Sequence, residues 1–124
     1  MNWKQEATDK LRRYALMRTS RENLGQELQR LELDRGDALS RQVLREELKN
    51  ALQQAELWVG QVERAMGVLL PEERLILNRC YISGERGAVD RLCGELKAEP
   101  STVYRKRDRA LEAFTLALYG RVDS

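Results

Sequence analysis

The chain contains no histidine. It therefore lacks the side chain that most often acts as a general base near neutral pH and most often binds transition metals. Cysteine is scarce as well. Cys80 and Cys93 form no CxxC pair and have no ligand-rich neighbourhood, so nothing in the sequence builds a zinc site. No glycine-rich phosphate loop and no nucleophile elbow occurs. The adjacent acids Glu46-Glu47 and Glu72-Glu73 point to different sides of a helix and make no catalytic pair. We therefore expect neither an enzyme nor a cofactor. No apolar run reaches membrane-spanning length and no signal-peptide pattern is present, so we expect a cytoplasmic protein without a membrane partner. Net charge is only +2. Any signal for a nucleic-acid partner has to be local rather than global.

What is present is helical periodicity. The 124 residues fit one compact domain, or a small domain plus an extended helical part. The charged fraction of 34% is high, which favours amphipathic helices with solvated outer faces over a broad buried sheet. The expected fold class is all-α, with two domains: a helical hairpin over residues 1–69 and a helix-turn-helix domain over 70–124.

In the hairpin, Trp3, Ala7, Leu11, Tyr14, Met17, Leu24, Leu28 and Leu31 recur at mostly three- and four-residue steps, reading as one helix from Asn2 to about Leu33. Arg18 and Arg21 occupy seam positions, so Thr19-Ser20 is the expected point of a break or bend. Asp34-Arg35-Gly36-Asp37 is a turn signal, with an aspartate or Ser40 as cap of the next helix. That helix, from about Ala38 to Leu69, carries a coiled-coil-like seam of Leu48, Leu52, Ala55, Val59, Val62, Met66 and Leu69, widened by Leu44, Ala51 and Trp58. Two such helices joined by a short turn pack antiparallel. The seam either buries itself within one chain or serves a homo-oligomer.

The second module opens at Leu70-Pro71-Glu72-Glu73. Proline suits a first helical turn, and glutamates suit its positive end. Leu75, Ile76, Cys80 and Tyr81 give this helix its apolar side. Ser83 to Gly87 reads as a loop. Val89, Leu92, Cys93 and Leu96 mark a short helix over about Ala88 to Lys97. Lys97-Ala98-Glu99 connects it to a last helix that starts at Pro100, runs to about Leu118 and stops at Gly120. On that helix Val103, Ala110, Leu111 and Phe114 share one face. Ser101, Arg105, Asp108 and Glu112 point away, flanked by Thr102 and Arg109. From Ser101 to Arg109, four cations stand against Asp108 alone, a local balance of +3.

Leu70-Pro71-Glu72-Glu73-Arg74-Leu75-Ile76-Leu77, Tyr81, Leu92-Cys93-Gly94-Glu95-Leu96, Ser101-Thr102-Val103-Tyr104-Arg105 and Ala110-Leu111 together resemble the region-4 DNA-binding domain of sigma-70-type factors. The likeness covers about residues 69–120. With the closing Ala117-Leu118-Tyr119-Gly120 and the charged hairpin before it, the chain is similar to small phage and prophage transcription regulators of the ArpU and RinA type. The resemblance implies a sequence-specific regulator that binds double-stranded DNA in a bacterial host cell. By that pattern Ser101, Thr102, Tyr104, Arg105 and Arg109 approach DNA. Two positions depart from it. Lys97 stands where the turn usually has glycine, and Glu99 stands where it usually has an N-capping serine.

Arg105 is the leading candidate for a base contact, because a guanidinium can bond guanine O6 and N7 together. Lys106 and Arg109 are expected at phosphates, which set register and salt dependence. Tyr104 is either a core-edge aromatic or a phosphate ligand. Arg107 points toward the core side, where it either pairs with Glu72 or Glu73 or reports a shifted helix phase. Cys80 and Cys93 read as small buried hydrophobes, with a redox switch as the alternative. Trp3 and Trp58 read as packing anchors or as an exposed patch. One recognition helix binds weakly, so an oligomer held by the hairpin is expected. The rival reading is an interaction protein whose hairpin binds another protein, such as RNA polymerase, with little DNA affinity.

Overall fold

A computed structural model describes residues 2–122, which contain helices and no strand. In order these are α1 (Trp3–Arg12), α2 (Tyr14–Glu32), α3 (Ala38–Gly67), α4 (Pro71–Leu77), a π-helical turn (Asn78–Ile82), α5 (Ala88–Leu96) and α6 (Pro100–Tyr119). The chain gathers into two compact units. One joins residues 1–14 to residues 61–124, and the other is residues 15–60. This grouping differs from the expected division after residue 69.

The first unit is built around α6. Its Val103, Ala110 and Phe114 are fully buried and Leu111 nearly so, as the shared helical face requires. The chain's one phenylalanine is thus a core anchor. Ile76 and Leu77 of α4 and Leu92 of α5 are buried with them. The first helix belongs here too. Ala7 and Leu11, one turn apart on one face, are both 0% exposed, and α1 packs on α6 and on the π-helical turn. The expected single helix from Asn2 to Leu33 is therefore two. The interruption falls at Arg13, whose ψ is −4°, and not at Thr19-Ser20, through which α2 runs unbroken. Asn2 caps α1 by accepting from the Lys4 N–H at 2.9 Å.

The caps of the other helices are local chemistry. The Glu73 carboxylate reaches back to accept from the Leu70 N–H at 2.9 Å, half of a capping box, and Pro71 takes the first position of α4. After Leu77 the helix widens. The Ser83 N–H donates to Asn78 O at 2.7 Å, a five-residue step, and the Ser83 hydroxyl donates to Asn78 Oδ1 at 2.7 Å. Such π-turns insert a residue and re-aim the next segment of chain. Gly84 and Gly87 then take left-handed conformations, with φ of 61° and 69°, to bring the chain round into α5. Arg79 pins this bend, pairing with Glu95 of α5 at 2.8 Å and approaching Glu85 at 3.9 Å.

In the second unit, α2 and α3 are joined through residues 33–37. The Asp34 carboxylate accepts from the Gly36 N–H, and Asp37 caps α3 by accepting from both the backbone N–H and the hydroxyl of Ser40 at 2.9 and 2.8 Å. Of the candidate caps it is Asp37, not Ser40, that closes the helix. These bonds hold the Asp37 carboxyl below its usual range. Gly36 does not adopt a left-handed conformation. The turn is made by the aspartates instead. Near the turn, Glu32 pairs with Arg45 at 3.4 Å, and the Arg41 guanidinium donates to Asp34 O. Leu31 is buried. The expected α3 seam is half-buried at Leu48 and Leu52 and buried at Ala55 and Val59. Of the residues expected to widen that seam, Trp58 is half-buried, while Leu44 and Ala51 are exposed.

Candidate functional site

The connection from α5 to α6 sets the geometry of the basic face. Helix α5 ends when Lys97 turns left-handed at φ 51°, the only non-glycine residue with positive φ among the described residues. The N–H groups of Lys97 and Ala98 both donate to Cys93 O, and Ala98 packs against the cluster of Ile76, Leu92 and Val103. This is the bonding of a Schellman-type cap, in which glycine is usual because it has no Cβ to strain. Glu99 then takes an extended conformation ahead of Pro100 and gives no side-chain cap, while its carbonyl accepts from the Val103 N–H at 3.1 Å. The three-residue connection is thus fixed by one shared carbonyl and one apolar contact.

Val103 at 0% exposure fixes the roll of α6. Ser101, Arg105 and Arg109 are consequently exposed, and Thr102 is half-buried beside them. These four lie within about 100° of arc on the helix surface. The Arg105 guanidinium leans toward the Thr102 hydroxyl at 3.5 Å and otherwise faces solvent. The remaining two residues named from sequence sit elsewhere. Lys106 faces α4, where its ammonium meets Glu72 at 2.6 Å. It therefore serves as a tie between α4 and α6 and is a poorer candidate for phosphate than its place in a basic run suggests. Tyr104 is 46% exposed on the opposite flank, with the Arg107 guanidinium 4.9 Å from its ring centre.

Arg107 pairs with neither Glu72 nor Glu73. Its guanidinium lies between two rings, 4.9 Å from Tyr104 and 5.9 Å from Tyr81, and its Nε is buried without a hydrogen-bond partner. Tyr81 in turn has the Arg12 guanidinium 5.5 Å away. Arg12, Tyr81, Arg107 and Tyr104 therefore alternate cation and ring from α1 across the π-turn to α6, an arrangement attractive through the ring quadrupoles. Burial raises the Tyr81 phenol above its ordinary value, the nearby Arg107 charge opposing that shift.

Asp108, the acid in the basic run, is not left to oppose it. The Lys4 ammonium lies 3.5 Å from its carboxylate. Sequence reasoning singles out neither Lys4 nor Arg12. Periodicity marks α1 as amphipathic but carries no information on which helix it packs against.

The cysteines are free, half-buried and packed against the Ile76, Leu92 and Val103 cluster. Burial pushes the Cys80 thiol up despite the neighbouring Arg107, so the thiolate needed for redox chemistry is disfavoured there. Trp3 and Trp58 are both half-buried, with the Lys4 ammonium 5.7 Å from the Trp3 ring.

No known protein family, curated protein or solved structure matches this chain.

Proposed function

We propose that the chain is a sequence-specific double-stranded-DNA-binding transcription regulator of phage or prophage type, acting in the cytoplasm of a bacterial host. In this reading α5, the Lys97-Ala98-Glu99 turn and α6 form a helix-turn-helix like that of sigma region 4. The observation that carries it is the locked α5–α6 connection, which leaves Ser101, Thr102, Arg105 and Arg109 together on the open face of the first turns of α6. A helix entering the major groove meets base edges with its N-terminal residues. There Arg105 reads a base, Ser101 and Thr102 bond phosphate or base edges, and Arg109 holds phosphate. Lys106 acts indirectly by tying α6 to α4. Tyr104 offers its hydroxyl from the flank.

The test is a mobility-shift titration of duplex DNA from around the protein's own gene. Wild type shifts one fragment in preference to others, and Arg105→Ala abolishes that preference. An Arg105→Ala, Arg109→Ala protein that binds the fragment as tightly as wild type rules the assignment out.

A second reading has its own observation. Leu16, Leu33, Leu39 and Val43 in residues 15–60 are 69%, 82%, 71% and 55% exposed. Large exposed apolar side chains on one segment offer an interaction surface. In the regulator this surface makes a homo-oligomer that places two recognition helices on DNA. In the rival reading it binds another protein, such as RNA polymerase, and DNA affinity is minor.

A further inference from the structure

The first helix is the part of the molecule whose role changes most between sequence and structure. It carries Lys4, Lys10, Arg12 and Arg13 against Glu6 and Asp9, a balance of +2 over Trp3 to Arg13. Its buried face, Ala7 and Leu11, lies in the same unit as the α6 core. Lys4, Thr8 and Arg12 recur every four residues and so share one stripe. Both ends of that stripe are located by their neighbours. Lys4 stands 3.5 Å from Asp108 of α6, and Arg12 stands over Tyr81, whose ring also meets Arg107 of α6. At its Lys4 end the stripe borders the half-exposed Asp108 flank of α6, and at its Arg12 end an exposed guanidinium covers the buried Tyr81 ring.

We propose that α1 is part of the DNA-binding surface, with Lys4 and Arg12 supplying charge to the phosphate backbone beside the groove that α6 enters. This rests on the DNA-binding reading above and deepens it. Asp108 is the one acid among Arg105, Lys106, Arg107 and Arg109, and an uncompensated carboxylate there repels phosphate. Lys4 offsets it in a pair that is about half exposed and, at 3.5 Å, looser than the 2.6 Å Lys106–Glu72 pair, so the ammonium lies where it can face a phosphate beside Asp108. Arg12 is exposed on its outer side while its inner side rests on Tyr81. A guanidinium stacked this way is oriented before binding and loses less freedom when it meets a phosphate. On the flank of α6 that carries Asp108, α1 adds two cations beside the α6 run.

The test is a salt series of anisotropy titrations on duplex DNA with wild type, Lys4→Ala, Lys4→Glu, Arg12→Lys, the Lys4→Ala, Arg12→Ala double variant, and Arg105→Ala. Removing one phosphate-neutralising cation lowers the slope of log affinity against log salt by about 0.9. Lys4→Ala should lower it by about one and the double variant by about two, with binding about tenfold weaker in the double variant. The weakening should be equal on cognate and scrambled duplex, because phosphates carry no sequence. Lys4→Glu should be weaker than Lys4→Ala, and Arg12→Lys should keep the wild-type slope. Thermal melts in parallel distinguish a missing phosphate interaction from a protein that no longer folds. Lys4, in an exposed pair, can be changed without disturbing the core. If Arg105→Ala weakens binding while Lys4→Ala, Lys4→Glu and the double variant keep the wild-type slope and affinity, α1 is scaffold only. The proposal then falls and the DNA reading stands. If wild type shows no salt-dependent binding, both fall.

Discussion

Both units of this chain expose large apolar side chains, Val68, Leu70, Tyr104, Leu116 and Tyr119 among them in the first, but they differ in how much they bury. In the unit of residues 1–14 and 61–124, ten apolar residues from five helices are at most 2% exposed: Ala7, Leu11, Val62, Ile76, Leu77, Leu92, Val103, Ala110, Leu111 and Phe114. In residues 15–60, α2 buries only Leu31 and α3 only Ala55 and Val59, while Leu16, Leu33, Leu39, Val43, Leu44 and Leu57 are at least 45% exposed. A closed core holds the outer residues of the first unit in place. An apolar surface of this kind in the second leaves binding capacity for something else. On the proposed reading, the closed core carries recognition and residues 15–60 carry assembly.

The strongest way to break the comparison is to open the core. Phe114→Ala removes the largest fully buried side chain and should cost about 3–5 kcal/mol, read as a fall in the denaturant midpoint, with DNA binding abolished alongside. A cost under about 1 kcal/mol would mean that α6 is not held as described. The counterpart in residues 15–60 is Leu33→Ser with Leu39→Ser and Val43→Ser. These exposed positions should each change stability by less than about 0.5 kcal/mol. Sedimentation equilibrium should nonetheless show a smaller assembly than wild type. An unchanged mass would locate assembly elsewhere. A smaller effect is expected at the turn. Lys97→Gly relieves the left-handed strain and should raise stability by roughly 0.5–1 kcal/mol in the same denaturant measurement.

The smallest effect concerns Asp37. Its carboxyl lies below the usual range because it accepts from Ser40. A group whose folded value is depressed stabilises above its unfolded value, and that contribution disappears as pH falls through the folded one. Replacing Asp37 by alanine should therefore reduce helix content at neutral pH and change little only in acid below its own depressed folded value. A deficit by circular dichroism that persists in acid would show that the cap works through something other than charge.

Much of the fold is legible in sequence because its signals are local. Pro71, Pro100 and Gly120 mark helix ends by their own backbone chemistry, and Val103, Ala110, Leu111 and Phe114 reveal a buried face by period alone. The outward placement of Ser101, Arg105 and Arg109 follows from that phase. The features hidden from sequence depend on partners distant along the chain. Glu72 claims Lys106 from 34 residues away, and nothing near Lys106 announces it. Arg107 reaches Tyr81 only because the π-turn holds that ring in place. For α1 the apolar stripe is visible but its neighbour is not. Ala7 and Leu11 would satisfy a seam against α3 as readily as the packing on α6 that they make. An amphipathic pattern states which side is buried and is silent on the identity of the other surface.

The measurement that tests the central claim most directly is a fluorescence-anisotropy salt series on duplex DNA from around the protein's own gene, with scrambled duplex as competitor. A sequence-specific regulator should show affinity that falls steeply with salt yet keeps a preference of roughly a thousandfold or more for the cognate duplex. Binding that is weak, salt-sensitive and indifferent to sequence would contradict it, and would make the apolar surface of residues 15–60 the functional end of the molecule.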